Sequence, residues 1–126
     1  MMRKIIFIFL LGFNPIVYAQ WISIGKTVNS QHFINLNTVQ QSGHYKRAWF
    51  KVEYFYNSNM LKENIRSSHA LIEFDCREKR YRNLIVQHFR QSDLVGPNVL
   101  SNKIDEWQPI APNTLSEIDL LVVCSS

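Results

Sequence analysis

Residues 66–80 read Arg66-Ser67-Ser68-His69-Ala70-Leu71-Ile72-Glu73-Phe74-Asp75-Cys76-Arg77-Glu78-Lys79-Arg80. Within this stretch Ala70, Ile72, Phe74 and Cys76 alternate with Leu71, Glu73, Asp75 and Arg77. A period of two sends successive side chains to opposite faces of a strand, so the apolar set is expected in a core and the charged set in solvent. Cys76 then points inward. The chain has two cysteines, and the second, Cys124, lies in a helical pattern at the C-terminal end. A bond between them would tie a terminal helix onto the buried face of a sheet.

Working outward, the chain reads mostly as short strands. Trp21 to Ile24 ends at Gly25, and His32 to Leu36 gives a second apolar run, as in a first hairpin. A turn is predicted at Gln40-Gln41-Ser42-Gly43. From Arg47 to Tyr56, Ala48, Phe50, Val52 and Tyr54 alternate with Trp49, Lys51, Glu53 and Phe55. Aromatic residues fall on both sides of this strand, which places it centrally in the sheet. Met60 to Ser67 is polar and weakly periodic and reads as a loop. After the Cys76 strand come a charged turn at Glu78-Lys79 and a further strand from Tyr81 to Phe89.

The period changes in the tail. Pro109, Pro112 and Asn113 lead into Thr114-Leu115-Ser116-Glu117, the pattern of a capping box in which the threonine and the glutamate satisfy each other's backbone donors. A helix is expected from Leu115 to Cys124, with Leu120, Leu121 and Cys124 on its sheet-facing side. So short a helix needs tertiary support. The predicted fold class is α+β: a single small antiparallel β-sheet with a C-terminal helix on one face, held by a Cys76–Cys124 disulfide.

The first residues carry an export signal. Arg3 and Lys4 precede the apolar run Ile5 to Phe13, and Val17-Tyr18-Ala19 supplies a small-residue cleavage site. A membrane span needs about 20 apolar residues, and Asn14-Pro15 interrupts this run well before that. Residues 1–19 are therefore expected to be removed, leaving one domain of about 107 residues, Gln20 to Ser126. An oxidising compartment favours a bonded cysteine pair. Losing Arg3 and Lys4 lowers the formal charge from +4 to about +2, too weak a field to attract nucleic acid. Arg77, Lys79, Arg80 and Arg82 nevertheless cluster around Tyr81.

Taken together, Arg66-Ser67-Ser68, Ala70 through Cys76, the basic run after it, Trp107-Gln108-Pro109-Ile110 with Pro112, and Val122-Val123-Cys124 resemble the surface-adhesin protein E family of bacterial exported proteins. The resemblance spans most of the mature chain, with Phe74-Asp75-Cys76 and Trp107-x-Pro109-Ile110 as its strongest motifs. It implies an antiparallel sheet with a disulfide-tethered helix. It also implies adhesion, with a cell-surface protein binding host extracellular-matrix or serum proteins. The type member is lipid-anchored through a cysteine after the cleavage point, where this chain has Gln20. The expected product is therefore exported without an N-terminal lipid, to the periplasm, the medium or the cell surface. The alternative on the same scaffold is a soluble periplasmic accessory or small-ligand-binding protein.

No chemistry competes with binding. His32, His44, His69 and His88 lack zinc-ligand spacing, and there is no H-E-x-x-H, C-x-x-C, G-x-S-x-G or glycine-rich phosphate loop. No enzyme and no cofactor are expected, and His69 with His88 is the one pair that could meet on a sheet face to hold a metal or haem. Two surfaces are candidates for protein contact. One is the basic hairpin of Arg77, Lys79, Arg80, Tyr81 and Arg82, which otherwise solubilises an edge. The other is Trp49 with Phe55 and Tyr56, which either forms a contact patch or packs under the Met60–Ser67 loop. Trp107 reads as a clasp that positions the helix. If Phe74 and Cys76 supply the core, charge reversal at Arg80 and Arg82 should weaken adhesion without unfolding the domain.

Overall fold

Alternating side chains build one antiparallel sheet. The computed structural model describes residues 20–126, and the expected signal peptide lies outside them. The strands are β1 (Ile22–Lys26), β2 (Ser30–Ser42), β3 (Tyr45–Tyr54), β4 (Ser67–Asp75), β5 (Arg80–Phe89), β6 (Asn98–Ser101) and the short β7 (Gln108–Pro109). β1 through β6 lie side by side in chain order, and β7 joins β5 beside Arg80 and Tyr81. The helix α1 (Leu115–Cys124) packs on one face.

Register decides which residues meet α1. Ala48 opposes Ile72 and Lys46 opposes Phe74, so the even-numbered residues of β3 and β4 share the helix face. There Ile34, Ala48, Phe50 and Phe74 join Leu120 and Val123 in the buried core. β3 is central, as its two-sided aromatics required. Along α1 the buried residues are Leu120 and Val123, whereas Leu121 is 61% exposed. The expected grouping of Leu121 with Leu120 and Cys124 therefore fails. At 100° per residue Leu120 and Val123 flank the contact line, and Leu121 is rotated away from it.

The end of the helix is fixed covalently. Cys76 and Cys124 form a disulfide across 48 residues with their Cα atoms 5.9 Å apart. Cys76 lies one residue beyond β4, at the start of the turn into β5, instead of inside the strand. At the other end Thr114 Oγ1 accepts the Glu117 N–H at 3.3 Å, while Glu117 Oε1 accepts from the Asn113 N–H at 3.2 Å instead of from the cap residue. No basic residue occupies the last turn. Lys46 of β3 supplies that charge, its Nζ donating to the Ser126 carbonyl at 2.6 Å.

Two loops differ from expectation. β2 runs through the predicted turn at Gln40–Gly43 as far as Ser42, leaving Gly43 and His44 to reverse the chain with Gly43 at φ +61°. An irregularity between Asn35 and Gln40 absorbs the extra residues, and the Thr38 hydroxyl accepts the Trp49 N–H at 2.9 Å in place of a ladder bond. The expected Met60–Ser67 loop contains a 3-10 helix, Asn59–Glu63, capped by Ser58, and Ser67 already belongs to β4. Local side-chain bonds order the segment where periodicity is weak.

Candidate functional site

On the face of the sheet turned away from α1, the charged half of the β4 alternation is buried. Glu73 is 2% exposed and Asp75 5%, so these carboxylates are not the solvent face the pattern implied. Each is neutralised from a neighbouring strand. Glu73 Oε2 accepts from Arg47 of β3 at 3.0 Å, and Glu73 Oε1 accepts from Arg82 of β5 at 2.7 Å. Asp75 accepts from Arg80 at 3.0 Å and from the Glu78 N–H at 3.1 Å. Burial pushes the Asp75 carboxyl up, but the Glu78 N–H, Arg80 and the Arg77 N–H outweigh it and hold it below its usual range.

The same guanidinium groups carry aromatic rings. Trp107 lies 4.7 Å from the Arg80 guanidinium and 4.3 Å from that of Arg82, with the Tyr45 ring 4.9 Å away. Trp107 therefore packs on the face opposite the helix, and its ring does not position α1 as expected. Further along, Trp49 stacks on His69 at 4.0 Å and Trp21 meets His69 edge-on at 5.7 Å. Lys51 ends the row, buried over Phe33 at 4.6 Å and paired with Asp93 at 2.8 Å. A hollow of about 260 Å³ opens between Arg47, Trp49, Leu71, Thr38 and Gln40. Within it the Arg47 Nε is buried with no protein acceptor.

The two surfaces suggested by the sequence are rearranged accordingly. The basic hairpin divides: Arg80 and Arg82 are bound to buried carboxylates, while Arg77 and Lys79 are exposed in the turn. Tyr81 points the other way and packs against the core under α1. Arg80 and Arg82 therefore belong to the folding machinery, and reversing them cannot leave stability untouched as expected. Trp49 stands in the middle of β3, whereas Phe55 and Tyr56 follow its end, and Tyr56 is 95% exposed. Six extended residues span roughly 20 Å, so the three rings do not make one patch. His69 and His88 lie on opposite faces, because Ser68, not His69, opposes His88 in the register. They cannot share a metal or haem. Among the described residues no group of three or more His, Cys, Asp and Glu is placed to hold a metal ion, and no helix is long and apolar enough to cross a membrane.

A cleft of about 250 Å³ lies on the helix face beyond the packed core. Phe50, Val52, Ala70, Ile72 and Val86 line it, with Ser116 and Asp119 of α1. Its far side is a polar row. Tyr54 Oη is 2.9 Å from Ser68 Oγ, which is 2.6 Å from His88 Nδ1. The single Ser68 proton can serve only one of these neighbours, while its oxygen can accept from the other. His32 sits nearby, 3.0 Å from Ser30 Oγ, and burial lowers its pKa. Neither the polar row nor Asp119 was singled out from the sequence.

Asp119 Oδ1 is buried without a protein hydrogen-bond partner. Desolvation pushes the carboxyl up from its usual 3.8 to about 7. The raised value means that the folded chain holds a proton the unfolded chain releases. That contribution is fully present below the unfolded value and is lost as pH rises through about 7. Asp119→Asn should therefore flatten the fall in thermal stability between about pH 4 and pH 8, an effect of at most a few kcal/mol. Parallel melting curves across that range check it. An unchanged slope in the variant would show that the carboxyl is already solvated.

With this geometry in view, comparison with known proteins gives a coherent result. The family model described as surface-adhesin protein E matches residues 21–125. No curated protein matches. Among solved structures, crystal form II of Haemophilus influenzae protein E superposes with a TM-score of 0.64 at 14% identity, covering 89% of this chain and 92% of that one. Protein E from non-typeable Haemophilus influenzae gives 0.59 at 13% identity, covering 89% and 80%. At such identity the structures share the fold.

Proposed function

The chain belongs to the surface-adhesin protein E family, and from that premise we propose that it is an exported, non-enzymatic adhesin-like module, processed after Ala19. Its proposed partners are host extracellular-matrix or serum proteins, bound through the face of the sheet opposite α1. The observation that carries this reading is Trp107, held between the Arg80 and Arg82 guanidinium groups beside Tyr45. Trp, Tyr and Arg dominate binding hot spots because they offer large contact area at low entropic cost when already fixed. Here the ion pairs fix them. The hollow beside Trp49 and Arg47 adds a recess into which a partner's side chain can fit.

The test is binding of purified domain to immobilised matrix and serum proteins. Trp107→Ala is expected to weaken binding about thirtyfold or more, the scale of a hot-spot truncation, with Trp49→Ala acting in the same direction. Paired Arg77→Glu and Lys79→Glu substitutions should change it far less, since exposed charges contribute mainly through screened, long-range attraction. Should the turn reversals abolish binding while both tryptophan variants retain it, the hairpin tip is the contact instead. Thermal melts of each variant separate lost contact from lost fold.

A further inference from the structure

The cleft on the helix face has a composition that selects its occupant. Asp119 is the single carboxylate lining it, and neither lysine nor arginine lines it. The buried, unpartnered Oδ1 is an acceptor that the protein itself leaves unsatisfied, an arrangement that costs stability unless something donates to it. Around it, Phe50, Tyr54 and Tyr81 offer aromatic surface, and Val52, Ala70, Ile72 and Val86 offer aliphatic surface. An anion would meet the Asp119 carboxylate with no cation to offset it. A cation finds both a carboxylate and rings.

We propose that this cleft is a binding site for a small organic cation: an amine on an apolar body of about the size of a phenylethyl group. The volume of about 250 Å³ falls just below the pockets that take drug-sized ligands, which limits the body to roughly one ring. The ammonium group pairs with the Asp119 carboxylate where it lines the cleft, and the body lies over Val52, Ala70 and Ile72. The Tyr54–Ser68–His88 row bounds the far end and holds a second polar group if the ligand carries one. This inference is independent of adhesion, since it uses the opposite face of the sheet.

Phenethylamine is the probe, with phenylacetate as its anionic counterpart, each titrated at millimolar concentration against isotopically labelled domain. At about pH 8, where Asp119 is ionised, phenethylamine should shift the amide resonances of Ser116, Asp119 and Val52, and phenylacetate should not. Asp119→Asn should weaken the amine about tenfold, the worth of one charge-assisted hydrogen bond. His32 and His88 face the same cleft with the phenols of Tyr54 and Tyr81 in both proteins, so their effect on a cation is common to the two. The wild type should therefore lose more affinity than the variant on acidification. Ser116→Phe, which fills the cleft from a half-buried helix position, should abolish binding whether or not the Asn variant folds well. Equal binding of phenylacetate, shifts elsewhere only, or amine binding that survives both substitutions would overturn the proposal.

Discussion

Cys76→Ser and Cys124→Ser are each expected to lower stability by about 4 kcal/mol, the chain-entropy value for closing a loop across 48 residues. For a domain this size that corresponds to a melting temperature roughly 15 °C lower or more. The double substitution should match either single one, because both remove the same bond. The cause lies in α1. Ten residues cannot sustain a helix alone, and apart from the disulfide the end of α1 is held by Leu120, Val123 and the Lys46 contact to the terminal carbonyls. Circular-dichroism melts with and without reductant give the measurement. Two singles that differ widely, or a wild type indifferent to reductant, would show that the packing suffices without the bond.

Arg82→Glu is expected to be nearly as damaging, on the order of 3–5 kcal/mol, the usual cost of leaving a buried charge without its partner. Glu73 would keep Arg47 and gain a facing carboxylate within its shielded environment. The Trp107 ring would also lose one of its two supports. Arg77→Glu, two residues beyond Asp75 and exposed, should shift stability by only about 0.5 kcal/mol. Urea midpoints for the two variants make the comparison directly. If they shift alike, the Glu73 cluster is solvated, and Arg82 returns to being a surface charge available for recognition.

These results turn on what a single strand can and cannot say about itself. The alternation around Phe74 located the core, and the pattern from Thr114 onward located α1 and so the disulfide. The same alternation misassigned Glu73 and Asp75, because a charged face looks identical whether water or arginine covers it. A further clue was present in the numbering. In a hairpin turning at Arg77-Glu78, Asp75 opposes Arg80 and Glu73 opposes Arg82, as the register has it, and opposite charges at those positions mark a cross-strand pair. Their burial additionally needs Arg47 and Trp107, 26 residues before Glu73 and 25 after Arg82, and no local period reports contacts of that range. His69 and His88 were separated by strand register, which neither residue encodes. Asp119 was hidden for a different reason. A carboxylate one position before Leu120 reads as the polar flank of a helix, and only the packing of α1 on the sheet reveals that its Oδ1 is buried without a partner.

The disulfide also shapes how the domain would bear a load. With Cys76 joined to Cys124, strands β5 to β7 and α1 form a covalent ring, while β1 to β4 lie outside it. Tension between the two ends of the domain passes along the chain to Cys76, across the sulfurs, and out through Ser125 and Ser126. The 48-residue segment carries none of it and cannot be drawn out, which shortens the attainable extension by roughly 160 Å at full stretch. Trp107, Arg80 and Arg82 lie within that ring, although their partners Tyr45, Arg47 and Glu73 do not. A pull that peels β1 to β4 away would dismantle the aromatic row from one side and leave the ring's own backbone uncut and close to its starting length.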